Sequence, residues 1–439
     1  MYYTLKQSLN NKIIQNFVAV SGLYFFSIPL LLLANIVLIR TLSVSDFGAF
    51  SFVLSFTSVF AILVSGGLPM LVTREIATYK QSENWPAYRG LVTAAYRWVV
   101  LASFTCALAV LISNIAFGVL LSQHLIIPLI LLPIIGMTAI RNGILKGLCR
   151  PLISEAPTQI LQPVLLIFGY LIIAYFGKSS ATNALWCYFA VIMIVFGLAS
   201  IILRYVQPAE VGVTYSDMTD QKRWRQALLP FMMISAVALL STQLAILISG
   251  SMGQDEVVAY LRVAERGSMV IMIPFHILSS IIGPHMVAAI RSGNILKQRD
   301  IVRQSSRIIF FTSLPSLIVI LLFGEQILGL LFGSPYDDKS YLPMVIVSVV
   351  QIFSVAFGHI GLLLVMGGHE RLTLVSQTLA LFANLVFCIL LIGPFGELGA
   401  SIGIAIGVIV STVLNVLLVK RYFGFIPGIL LRQSFSRRQ

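Results

Sequence analysis

Long apolar runs separated by short polar connections organise this chain from end to end. We count twelve, at about 17–39, 47–72, 94–116, 125–145, 157–176, 182–203, 227–250, 257–283, 307–332, 341–366, 372–392 and 397–419. Each is long enough to cross ~30 Å of hydrocarbon as an α-helix, which takes about 20 residues. The pattern predicts an all-α polytopic membrane protein whose connections are too short to form a separate domain.

The polar connections differ in charge. Starting inside, one set carries Lys6, Lys12, Arg74, Lys80, Arg89, Arg97, Arg141, Lys146, Arg150, Arg204, Lys222, Arg223, Arg225, Arg291 and most of the later basic residues, whereas the opposite set holds only Arg40, Lys178 and Lys339. Short basic loops are retained in the cytoplasm, so this asymmetry predicts both termini inside. The first run is too long for a signal-peptide core and lacks a small-residue cleavage pattern, which predicts that it stays as the first membrane helix.

Composition narrows the class further. The 439 residues are 58% hydrophobic and 10% charged, with mean hydropathy +0.96, far outside the soluble range. The net charge of +13 is spread over many connections, which fits topology and anionic lipids and argues against nucleic acid. Cys106, Cys149, Cys187 and Cys388 stand singly in or beside apolar runs, without metal or redox spacing, and read as packing residues.

The chain also repeats itself. Asp46-Phe47-Gly48-Ala49-Phe50 corresponds to Glu256-Val257-Val258-Ala259-Tyr260, and at the same offset Arg97 falls on Arg307. An offset of six helices preserves orientation, which predicts two six-helix lobes related by a pseudo-twofold along the membrane normal. We place them at 1–203 and 227–439, joined by a polar cytoplasmic linker at 204–226 that reads as a solvated hinge.

Candidate chemistry concentrates in the eighth run, which contains Arg262, Glu265 and Arg266. At ~1.5 Å per residue from Glu256, Arg266 lies ~15 Å along a helix, near the middle of the bilayer. A central arginine costs about 2.5–3.5 kcal/mol on insertion scales and therefore needs a partner or a wet cavity. Arg262, Arg266, Met269, Ile273, His276 and Ser280 share one helical face. One alternative is an i, i+3 ion pair of Glu265 with one arginine that pins packing; the other, which we favour, is an anion site, because one carboxylate leaves one guanidinium over and arginine's fork suits phosphate. Arg141 and Lys146 in the fourth run extend a cationic path or snorkel to headgroups. Arg40 is an interfacial anchor, a partner of Asp46, or part of the site. Asn35 and Gln243 are neutral polar groups for a cavity or for interhelical hydrogen bonds, and His276 adds a weakly polar position. No complete phosphate-binding loop or zinc motif is present, so neither a nucleotide cofactor nor a metal is expected.

Arg40-Thr41-Leu42, Asp46-Phe47-Gly48, Gly66-Gly67-Leu68, Arg74-Glu75-Ile76-Ala77, Glu256 to Tyr260 with Arg262-Val263-Ala264, Leu330-Leu331-Phe332-Gly333 and Pro394-Phe395-Gly396-Glu397-Leu398-Gly399-Ala400 occur in a characteristic order. On these segments the chain resembles the Wzx, or O-antigen translocase, type of polysaccharide-repeat flippase in the multidrug/oligosaccharidyl-lipid/polysaccharide (MOP) exporter superfamily. The resemblance implies a MATE-like fold with a central cavity, in a bacterial cytoplasmic (inner) membrane. It also implies movement of an undecaprenyl-diphosphate-linked oligosaccharide from the cytoplasmic to the outer leaflet.

Under this resemblance Arg262 and Arg266 would hold the diphosphate, and Glu265 would carry ion coupling. The implied partners, besides that lipid and anionic lipids, are a polysaccharide polymerase and a chain-length regulator, with the chain itself a monomer. The competing reading is a cation-coupled multidrug exporter of the same superfamily. Against it, the first and seventh runs hold no Asp or Glu and the arginines outnumber the one acid, so the cavity should repel cations. A polymerase or ligase would need a larger outer loop. A lipid II flippase would be expected to carry two more C-terminal helices.

Overall fold

The computed structural model of the chain describes residues 22–23, 25–117, 126–177, 179–208, 210–213, 215–291, 295–367 and 369–429. Lys6, Lys12, Lys178, Arg432, Arg437 and Arg438, which contribute to the charge asymmetry, lie outside them. The described residues are helical almost throughout, as a hydrocarbon solvent requires: a helix satisfies its own backbone groups where no water is available. Nine of the described helices are long and apolar enough to cross a membrane, and the chain is a polytopic α-helical membrane protein.

Two compact units divide at Leu239 and Leu240. The first holds α1 (Phe25–Thr41), α2 (Val44–Ser65), α3 (Leu68–Gln81), α4 (Trp85–Phe117), α5 (Ile126–Gly147), α6 (Pro151–Ala156), a π-helical turn (Pro157–Leu161), α7 (Gln162–Tyr175), α8 (Ala181–Val206), the short α9 (Glu210–Val213) and the first part of α10 (Gln221–Ser251). The second holds the rest of α10, then α11 (Asp255–Arg291), α12 (Ile295–Phe332), α13 (Tyr336–Lys339), α14 (Tyr341–Val355), α15 (Ile360–Met366) and α16 (Glu370–Phe423).

Two apolar runs are broken where the sequence reads as continuous. The second run bends at Gly66 and Gly67, the latter at φ 80°, before Pro69 in the first turn of α3. The tenth divides into α14 and α15 around Gly358 at φ 74°, where a Cβ would collide with the Ser306 hydroxyl. The last two runs form one hairpin within α16. Gly396, just after Pro394, leaves helical geometry at φ 53°, ψ −126°, and the arms fold back so that Gly403 meets Cys388 and Gly407 meets Asn384.

Close approach of small residues sets the packing of the first unit. On α5, Gly136 faces Val99 and Val64, while Gly147 faces Ile76, where an added Cβ would lie 2.7 Å from the Ile76 Cβ. Membrane helices gain little from burying apolar surface against one another, so such intimate contacts carry the association. Large apolar side chains point outward in both units, among them Phe104, Leu101, Phe311 and Leu322, at 62–67% exposure, which suits contact with lipid.

Two expectations need correction. The polar linker is no free hinge: Trp224 is buried at 4% exposure, its Nε1 donates to the Tyr79 hydroxyl at 3.0 Å, and that hydroxyl donates to Asp220 at 3.0 Å. The Asp217 amide donates to the Pro86 carbonyl, and Gly90 leaves the space that the Asp217 carbonyl occupies. A buried Trp and these bonds fasten the strap to α3 and α4. Among the cysteines, Cys149 is an exposed residue at φ 61° just after α5 rather than a core residue, whereas Cys106 and Cys388 are buried.

Candidate functional site

The cationic cluster forms on α11, whose entry is fixed by a turn at Gly253, φ 72°, and by Asp255 and Glu256 in its first turn. Acidic residues there favour the helix N-terminus. Val258, Leu261, Val263 and Ala264 are fully buried and lock this stretch of the helix into the second unit. Arg262 is thereby held in a half-buried position; its side chain is 13% exposed and that of Glu265 is 22% exposed.

The Arg262 guanidinium forks. Nη1 donates to Glu265 Oε2 at 3.1 Å, and Nη2 donates to Gln243 Oε1 on α10 at 3.1 Å. Arg266, one turn further, directs Nη1 to the Met269 sulfur at 3.5 Å. That contact agrees with the shared face read from the sequence. The i, i+3 ion pair therefore exists, and Gln243 acts as a hydrogen-bond partner of Arg262. Two arginines and one carboxylate leave the cluster with one net positive charge.

The first unit contains the other basic candidates. Arg141, on α5, is 1% exposed; its Nε and Nη2 donate to Asn142 Oδ1 at 3.3 and 3.0 Å, and Nη1 has no partner among the described residues. No carboxylate pairs with it among the described residues. Lys146 is instead committed to Glu155 at 2.6 Å. Asn35 bonds within its own helix, to the Leu31 carbonyl at 2.6 Å, and Arg40 is exposed at the end of α1. Asp46 receives the Ala181 amide at 3.0 Å and the Ser43 hydroxyl at 2.6 Å. His276 is exposed and meets Phe275 edge-on at 5.9 Å.

Three residues escaped the sequence reading. Glu75, 0% exposed, and Glu155, 9% exposed, are buried carboxylates besides Glu265. Glu75 sits between Arg74 at 2.8 Å and Arg223 at 3.1 Å, and the adjacency of Arg74 was the available signal. His359 is 1% exposed in the break between α14 and α15, stacked on Phe275 at 4.3 Å with its Nε2 2.6 Å from the Ser279 hydroxyl. Nothing local in the sequence distinguishes it. Among the described residues, no group of three His, Cys, Asp or Glu side chains is placed to hold a metal.

The architecture is shared with solved transporters. An inward-facing multidrug resistance MATE transporter of the MOP superfamily matches with TM-score 0.74 at 17% identity, over 90% of this chain and 94% of that one. The lipid II flippase MurJ, in an inward closed conformation, matches with TM-score 0.71 at 14% identity, over 93% and 87%. A MOP transporter from Pyrococcus furiosus, noted for the reverse polarity of its binding pocket, matches with TM-score 0.66 at 17% identity, over 93% and 95%. At these identities the likeness is one of fold, and the fold is that of the MOP exporters.

The particular family follows from the sequence match. The family model for polysaccharide biosynthesis proteins matches residues 13–289, more than half of the chain, and the chain belongs to that family. It is 29% identical over 113 residues to the capsular polysaccharide biosynthesis protein CapF of Staphylococcus aureus, a stretch that spans 26% of this chain and 28% of CapF. The chain is thus a member of the polysaccharide biosynthesis family with the fold of the MOP exporters.

Proposed function

We propose that this protein moves an undecaprenyl-diphosphate-linked oligosaccharide repeat unit from the cytoplasmic to the outer leaflet of a bacterial inner membrane. Two lobes of six helices alternate access, with both termini in the cytoplasm. The observation that carries this reading is the half-buried Arg262–Glu265–Arg266 cluster, net positive, in a chain of the polysaccharide biosynthesis family. A diphosphate needs concentrated positive charge and donors in a fork, which arginine supplies. Arg262 and Arg266 hold the headgroup. Gln243 orients Arg262, while Asn35 and His276 line the polar path. In the first unit Arg40 and buried Arg141 add positive charge, whereas that of Lys146 is offset by Glu155. Glu265 is the coupling group for a cation gradient, since protonating it raises the net charge where the anion sits. The tail of the carrier lipid stays in the bilayer throughout.

The MATE-like fold favours a second reading, cation-coupled export of drugs. The arginine-rich cluster opposes it, because positive charge repels cationic drugs. The discriminating experiment deletes the gene and assays undecaprenyl-linked intermediates and drug tolerance. Under the flippase reading, complete repeat units accumulate on the cytoplasmic face; wild-type protein reverses this and Arg266→Ala, still present in the membrane, does not. Altered drug tolerance without accumulation refutes the flippase reading. Normal surface polymer with Arg266→Ala refutes the headgroup role.

A further inference from the structure

The first unit contains a cavity of about 320 Å³ that the cationic cluster does not use. Its size lies at the lower end of ligand pockets, roughly 300–1,000 Å³. Ser58, Thr138, Thr158, Gln162, Tyr188 and Phe196 give it its chemistry, and the described residues that line it include no Asp, Glu, Lys, Arg or His. A mainly apolar lining with a few hydroxyls, one amide and no cation offers nothing to neutralise a diphosphate.

The π-helical turn Pro157–Leu161 builds one wall. The Gln162 amide reaches back to the Pro157 carbonyl, the five-residue spacing of a π turn, and such turns recur at functional sites. Thr158 and Gln162 both line the cavity. On α8, Tyr188, Ile192, Val195 and Phe196 recur at helical spacing on one face, and Phe50 packs edge-on against Tyr188 at 6.2 Å, fixing that ring.

The polar groups are available to a ligand. Ser58 and Thr158 spend their protons on the Leu54 and Glu155 carbonyls, at 2.8 and 3.0 Å, leaving oxygen lone pairs as acceptors. Thr138 and Gln162 have no side-chain partner among the described residues, although both are half-buried. Donors and acceptors therefore stand beside two aromatic rings.

We infer that this cavity is a subsite for one neutral pyranose ring of the lipid-linked saccharide, with its C–H face against Tyr188 and Phe196 and its hydroxyls on Thr138 and Gln162. Ring C–H bonds present partial positive charge to the negative aromatic face, and each ring hydroxyl both donates and accepts. The inference rests on the flippase reading above and adds a sugar-reading site to it.

The test measures binding to purified protein in nanodiscs of farnesyl diphosphate and of farnesyl diphosphate bearing a single glucose, galactose, mannose or N-acetylglucosamine. In the wild type, at least one sugar tightens binding over the sugar-free lipid. Thr138→Val combined with Gln162→Ala removes two hydrogen-bonding groups and weakens that sugar-dependent gain about tenfold or more. The sugar-free lipid binds the variant as it binds wild type, which also reports that the variant is folded. A gain unchanged in the variant overturns the subsite while leaving the flippase reading intact, and so does equal binding of all five lipids to the wild type. Failure of every lipid to bind the wild type overturns the flippase reading itself.

Discussion

Glu265→Gln separates a packing role for the α11 cluster from an anion-binding one. Glutamine keeps the size of the side chain and a carbonyl for Arg262 Nη1, now at 3.1 Å from Glu265 Oε2, but removes the only negative charge among the three groups. The cluster passes from one net positive charge to two. With phosphates taken ~6 Å from the carboxylate, removing one unit of repulsion is worth about 3 kcal/mol at an effective dielectric of 20 and about 0.7 kcal/mol in water. Affinity for farnesyl diphosphate therefore rises roughly 3- to 100-fold, and the rise shrinks with added salt.

The pair is only partly buried, so its loss costs stability no more than about 1 kcal/mol, and Gln243 continues to hold Arg262. Isothermal titration in nanodiscs, beside a flipping assay in vesicles, reads both sides of the argument. Tighter binding with slower turnover is expected, because a cluster that no longer regains its negative charge releases the anion poorly. Unchanged or weaker diphosphate binding refutes the placement of the headgroup at Arg262.

Four further outcomes are expected. Glu75→Ala leaves Arg74 and Arg223 without their shared carboxylate and lowers stability by about 1–2 kcal/mol, the small size reflecting two half-exposed guanidiniums; Trp224→Ala on the same strap costs about 3–5 kcal/mol. Both are read by thermal unfolding, and an unchanged midpoint for Trp224→Ala means the strap is not docked. Gly147→Val forces α3 from α5 and costs about 1–3 kcal/mol, seen as lost monodisperse protein, and Ile76→Ala in the same chain restores part of it. Arg141→Met removes a buried charge that has no carboxylate and is neutral or stabilising in thermal unfolding, while export of surface polymer falls; normal export makes Arg141 purely structural.

Hydropathy made the helices legible because each apolar run must satisfy its backbone within itself, whatever its neighbours do. The breaks were less visible. Gly67 and Gly358 are ordinary glycines in sequence, and only the positive φ each adopts shows that a run turns there, whereas Gly396 falls in the connection already read between the last two runs. The linker misled for a related reason. Asp217, Asp220 and Arg223 have the composition of a solvated segment, yet Trp224 among them is buried beneath α3, and one aromatic anchor with a few bonds outweighs local polarity.

The candidate site was legible in the same partial way. Charges inside an apolar run announce themselves, so Arg262, Glu265 and Arg266 stood out, and i, i+3 spacing gave their ion pair. Burial of a charge, however, is set by whatever packs over it. Lys146 and Arg141 lie five residues apart on α5 and read alike in sequence, but Glu155, brought back by the α5–α6 turn, neutralises Lys146 while Arg141 is buried against the neutral Asn142 amide. The neutral cavity sent no signal at all, because hydroxyls and an amide scattered over Ser58, Thr138, Thr158 and Gln162 look like routine helix polarity. They converge only once the π turn rotates its segment toward α8. Charge is thus readable along the chain, whereas a site that selects an uncharged sugar is written in the packing of helices far apart in sequence.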